Sequence, residues 1–112
     1  MLTANRRLRA ARDISRVYQQ GVYGGAGVLS VKARRNGHPE SRVVVVVGKK
    51  IDKRAVVRNR IRRRLIGRLE STWATLPAGY DIVISVHSDV SQLPAPDLHA
   101  ALAKALASAK LS

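Results

Sequence analysis

Val57-Arg58-Asn59-Arg60-Ile61-Arg62-Arg63-Arg64-Leu65 is the centre of a strongly basic stretch. A charge run in a disordered tail lacks apolar residues, yet Val57, Ile61, Leu65, Leu69 and Trp73 recur here at every fourth position. That spacing lines one face of a helix, so the stretch is expected to fold with an aliphatic stripe turned inward and its arginines on a defined surface. Around the helix, Asn59, Arg60, Arg63 and Arg64 fall opposite the stripe, and Arg58 and Arg62 lie near its edge. Lys49, Lys50, Lys53 and Arg54 precede the helix and extend the patch. A fixed array of guanidinium groups without interleaved Glu costs stability through self-repulsion, so solubility alone does not account for it. Incoming phosphates do.

The charge is unevenly placed. Residues 1–68 carry a net +16 and residues 69–112 a net −2, within a total of +14 over 112 residues. The binding surface is therefore expected in the first two-thirds of a single domain, 1–112, whose last third completes the fold. With no Phe, the core must be aliphatic. No segment has the apolar length of a membrane span, no apolar stretch follows the basic N-terminus as in a secretory signal, and the basic helix has no Trp- or Phe-rich face to insert into lipid. The absence of Cys excludes disulfides and Cys-based metal sites and fits a reducing, cytoplasmic setting.

Along the chain, residues 1–11 read as a flexible basic arm. A first helix is expected over about Arg12 to Gln20, with Ile14, Val17 and Tyr18 on one face and Gly21 as its stop. Val22 to Gly27 is glycine-rich and reads as a short irregular strand or turn. Val28 to Arg34 alternates, with Val28, Ser30 and Lys32 on a polar face and Leu29, Val31 and Ala33 opposite. Asn36-Gly37 and Pro39 suggest a hairpin-type connection. The five valines Val43 to Val47 read as a strand buried on both faces and central in its sheet. After the basic helix, Tyr80 to His87 reads as a strand with Ile82, Ile84 and Val86 inward. Pro96 opens a last helix bearing Leu98, Leu102 and Leu106. The class is α+β, in the order α-β-β-β-α-β-α.

Lys49-Lys50, followed by Ala55-Val56-Val57-Arg58-Asn59-Arg60-Ile61-Arg62-Arg63, resembles the RNR signature of the bacterial ribonuclease P protein family. Arg12-Asp13-Ile14-Ser15-Arg16-Val17-Tyr18 and Gly79-Tyr80-Asp81-Ile82-Val83-Ile84 extend the likeness over nearly the whole chain. The resemblance implies a two-layer α/β sandwich like domain 2 of ribosomal protein S5, with a left-handed βαβ crossover through the basic helix. It implies the catalytic RNA of ribonuclease P as partner and precursor tRNA as substrate, with no protein partner required. Arg58, Asn59, Arg60, Arg62 and Arg63 would face the catalytic RNA, together with Lys49, Lys50, Lys53, Arg54 and Arg64 of the same patch. A cleft between the first helix and the sheet, with Arg12, Ile14, Tyr18, Ser30 and Lys32, would hold the 5′ leader. Two positions depart from the family pattern: Ile14 stands where Phe is usual, and Ser30 where an aromatic often faces the leader. Base stacking is worth about 1–3 kcal/mol, so their loss shifts leader binding toward backbone electrostatics. Tyr18 is either a retained platform or a core residue with an exposed hydroxyl.

No catalytic constellation is legible. Phosphodiester hydrolysis by a protein needs clustered carboxylates on Mg²⁺ or a His pair. Asp13, Glu40, Asp52, Glu70, Asp81, Asp89 and Asp97 are spread singly, and His38, His87 and His99 have no joining spacing. Catalytic residues and protein-bound metal are therefore expected to be absent, with Mg²⁺ bound mainly by RNA. The competing expectations are a basic ribosomal protein without a processing role, a stand-alone nuclease and, more weakly, a DNA-binding helix.

Overall fold

The computed structural model describes residues 2–111, with Ala26 as backbone only. The elements follow the expected order: α1 (Ala11–Gln20), β1 (Val22–Ala26), β2 (Leu29–Arg35), β3 (Arg42–Val46), α2 (Ala55–Ser71), β4 (Tyr80–Val86) and α3 (Ala95–Ser108). Short 3₁₀ turns occupy Ala4–Arg6 and Trp73–Thr75. The four strands form one mixed sheet in the order β1-β2-β4-β3. β1 and β4 run antiparallel to β2, while β3 runs parallel to β4, so α2 is the crossover between parallel neighbours.

Strand alternation divides the sheet into two faces. Leu29, Val31 and Ala33 of β2, Ile82, Ile84 and Val86 of β4, and Val43 and Val45 of β3 enter the main core. There they meet Val57, Ile61, Leu65 and Leu69 of α2 and Leu98, Leu102, Ala105 and Leu106 of α3, so both long helices cover this face. The four-residue stripe of α2 is almost fully buried, at 0–5% exposure, and each such side chain contributes about 1.5–3 kcal/mol. The opposite face is covered only in part. Val17 of α1 and Leu8 pack on Val83 in a smaller cluster, with Ile14 and Val44 against it. Beyond α1, Tyr23 of β1 and Val46 of β3 are exposed on that face, while Ser30 and Asp81 are buried.

Four expectations are corrected. The valine run does not form a central strand: β3 lies at the sheet edge, with Val46 exposed, and the strands with neighbours on both sides are β2 and β4. A run of identical β-branched residues shows no alternation by which its two faces could be told apart. The Asn36-Gly37 connection is not a hairpin, because β4 lies between β2 and β3; Asn36 instead donates to Asp81 across that gap. Residues 2–11 do not hang free. Leu2 and Leu8 are buried, the Leu8 N–H donates to the Val43 carbonyl, and Arg7 bridges to Val43, covering part of the β3 edge. Residue 1 of the expected arm lies outside the described residues. Finally, Trp73 is not on α2 but in the 3₁₀ turn beyond it, where its indole N–H donates to Glu40.

Candidate nucleic-acid interface

α2 divides its basic residues between two tasks. Asn59, Arg60 and Arg63 are exposed on the side away from the core, and Arg62 beside them is partly exposed. The Arg62 guanidinium donates to the Asn59 side-chain oxygen at 2.6 Å, which orders both polar groups on the surface. Salt bridges engage Arg6 with Glu40, Arg16 and Arg42 with Asp13, Arg42 also with Asp81, and Arg54 with Asp52. The first turn of α2 contains no acidic residue, and the Asp52 carboxylate just before it accepts from the backbone N–H of Arg54.

Arg58 and Arg64 hold the scaffold of this surface. Arg58 Nη1 donates to the carbonyls of Asp52 and Lys53, at 2.9 and 2.8 Å, tying the preceding loop to the helix. Arg64 Nη1 donates to the carbonyls of Val90 and Ser91, at 2.7 and 3.1 Å, and Nη2 donates to that of Leu93. Its placement opposite the stripe with Arg60 and Arg63 is thus corrected: Arg64 reaches sideways to the β4–α3 loop. Arg54 forms a two-pronged pair with Asp52, and the Arg54 backbone N–H also donates to that carboxylate. These bonds lower the Asp52 pKa to about 2, with the Arg54 side chain the largest cause. Lys49, Lys50 and Lys53 remain exposed on the same approach.

The expected cleft residues separate into a core member and surface members. Ile14 of α1 is partly buried, packed against the smaller cluster. Tyr18 is 44% exposed and is not a core residue. Lys32 Nζ donates to the Tyr18 carbonyl in the last turn of α1, a favourable place for a cation. Ser30 is nearly buried and shares a 2.7 Å hydrogen bond with His87 Nε2, so its hydroxyl is already engaged. Arg12 is exposed on the first turn of α1. The sequence reading missed Tyr23, which is 62% exposed and stands directly across from Lys32 in the β1–β2 register. Its signal was available: Tyr23 and Gly25 alternate with Gly24, as strand residues do, but three nearby glycines hid the strand.

The carboxylates are not all solitary. Asp13 and Asp81 converge on Arg42, which donates to Asp81 at 2.8 and 2.7 Å and lies 3.5 Å from Asp13. The Asp81 hydrogen bond is the main cause holding the Arg42 pKa above its ordinary value. A guanidinium fills this meeting point, and no group of three or more His, Cys, Asp or Glu suited to a metal forms among the described residues.

The Ribonuclease P family model matches residues 2–110. The ribonuclease P protein component of Pseudomonas aeruginosa is 38% identical over 97 residues, covering 85% of this chain and 70% of that protein. That of a Pseudanabaena species is 33% identical over 112 residues, covering 99% and 97%. Among solved structures, the RNase P protein of Staphylococcus aureus superposes with a TM-score of 0.85 at 21% identity, covering 95% of this chain and 96% of that one. The Thermotoga maritima protein superposes at 0.82 with 24% identity, covering 95% and 97%. With the fold, the basic helix and these relatives in agreement, the chain belongs to the ribonuclease P protein family, the protein component of a tRNA-processing ribonucleoprotein.

Proposed function

We propose that this chain is the RNA-binding, non-catalytic subunit of ribonuclease P, which holds the catalytic RNA on α2 and the 5′ leader of precursor tRNA on the open sheet face. One observation carries this reading: Asn59, Arg60 and Arg63 are exposed side by side with the partly exposed Arg62, while Arg58 and Arg64 fix the loops on either side of them. Arginine offers paired N–H donors that match phosphate oxygens, and each neutralised phosphate releases roughly 0.7–0.9 counterion.

Function follows from placement and charge. Cations between the catalytic RNA and its substrate reduce their mutual repulsion, and this lowers the Mg²⁺ concentration needed for assembly. Mg²⁺ itself is held mainly by RNA phosphates and supplies the activated water and leaving-group stabilisation of phosphodiester cleavage. Tyr18 and Lys32 line the open face beside α1, so an unpaired leader gains contacts that mature tRNA lacks. A cytoplasmic location, alongside nascent tRNA, fits this role.

The test is single-turnover cleavage of precursor tRNA by the catalytic RNA at limiting Mg²⁺, with and without the protein. A higher rate with protein and none with protein alone are expected. Equal rates with and without protein would favour a ribosomal role instead, and cleavage by RNA-free protein would establish a nuclease site in the polypeptide.

A further inference from the structure

Tyr23 is the most exposed large hydrophobic side chain among the described residues, and it lies on the open sheet face rather than on the side covered by α2 and α3. Two of the chain's four aromatic side chains, Tyr18 and Tyr23, are exposed, and both adjoin Lys32. The Tyr23 ring is laid along its own strand. A Cβ placed on Gly25 would stand 2.9 Å from the Tyr23 hydroxyl oxygen and 3.3 and 3.4 Å from two ring carbons. Only glycine lets the ring lie this close to the backbone.

What borders the ring is small and polar. Gly25 pairs with Ser30, and Ser30 with Ser85, so short side chains run from the ring across β2 to β4, with the His87 imidazole hydrogen-bonded to Ser30 at their far side. The next row is Tyr23, Lys32 and Val83, and α1 covers it at Val83 through Val17. The surface thus joins an aromatic ring, a row of short side chains and an ammonium group. Lys32 has one donor engaged with the Tyr18 carbonyl and two left for an anion. A π face beside a cation suits one nucleotide of a single strand, with the base on the ring and the phosphate on the ammonium.

We infer that Tyr23, laid over Gly25, is a stacking platform for one unpaired base of the leader, with Lys32 neutralising the adjacent phosphate. This rests on the leader-binding role proposed above and assigns a residue and a contact mode to it. The bond to Tyr18 also fixes where the ammonium stands, so base and phosphate are read at set positions along the leader. The platform is sequence-tolerant, because every base has a π face.

The experiment uses the assembled protein–RNA complex and precursor tRNAs with 2-aminopurine at successive leader positions. In the wild type, one position is expected to be quenched by stacking. Tyr23→Leu, which keeps an apolar cover over Gly25, should relieve that quenching and reduce the affinity advantage of precursor over leaderless tRNA by about fivefold or more, as expected for a lost stack. Tyr23→Phe should retain both, and the thermal midpoints of the two variants should match that of the wild type. If Tyr23→Leu leaves quenching and advantage intact while Lys32→Ala reduces the advantage, the platform is wrong and the leader-binding role stands. If the wild-type complex shows no leader-dependent advantage at any leader length, both fall.

Discussion

Arg42 on β3 donates two hydrogen bonds to Asp81 on β4, and the same guanidinium lies 3.5 Å from Asp13 on α1. One side chain thus connects an edge strand, a central strand and the helix that borders the open sheet face. The Asp81 carboxylate is 3% exposed and also accepts from Asn36 at 3.0 Å, so it depends on these partners for its charge. Removing one member of a buried pair costs about 3–5 kcal/mol. Arg42→Ala is expected to lie near the lower end, because Arg42 keeps some solvent contact; denaturant midpoints measure it. Asp81→Asn in the same background should recover part of the loss, since it removes the stranded charge.

Arg64 is expected to behave unlike its neighbours on α2. Three loop carbonyls, those of Val90, Ser91 and Leu93, depend on its guanidinium. Arg64→Ala should lower the thermal midpoint, with a loss of about 1.5–3 kcal/mol for hydrogen bonds from a charged donor. Faster amide exchange across residues 88–94 should accompany it. A variant with unchanged stability and exchange, and weakened RNA binding alone, would return Arg64 to the exposed array.

The loop before α2 is expected to hold its form down to strongly acidic pH. Asp52 has its pKa lowered from 3.8 to about 2, chiefly by the Arg54 side chain and then by the Arg54 N–H. For a carboxylate lowered in the folded state, the contribution to stability is fully present above the unfolded value and is lost as pH falls through the folded one. The window is therefore roughly pH 4 down to 2. The Arg54 amide shift, followed by NMR, should titrate with a midpoint near 2. A midpoint at the ordinary 3.8 would mean that the pair does not persist in solution.

Much of this architecture was legible because its signals are periodic. The Val57–Ile61–Leu65–Leu69 stripe and the Leu98–Leu102–Leu106 stripe announced two helices and their buried sides, and both are almost fully covered. Tertiary pairing was less visible. Nothing local in Val43 to Val47 says that β3 lies at an edge, because edge or centre depends on where β4, some forty residues later, inserts. The N-terminal segment looked like an arm since its two anchors, Leu2 and Leu8, are separated by polar residues and are held by the edge of a distant strand.

For the interface, residue type was legible and assignment was not. Arginine-rich sequence marks a phosphate-binding surface, but it does not tell a guanidinium turned to solvent, such as Arg60, from one turned to a backbone carbonyl, such as Arg64. Likewise, Ser30 was given a place in the cleft by its polar alternation, yet its hydroxyl is taken by His87, a residue 57 positions away. Tyr23 offers the exposed ring that neither Ser30 nor Ile14 supplies.

The most direct test is the salt dependence of binding to the ribonuclease P RNA by the wild type and by Arg60→Ala/Arg63→Ala. Both arginines are exposed on the side of α2 away from the core, so the double variant should fold with little change in stability. The account expects weaker binding at every salt concentration and a log–log slope shallower by about 1.4–1.8, as for two lost phosphate contacts. A stable double variant with wild-type affinity and slope would contradict it.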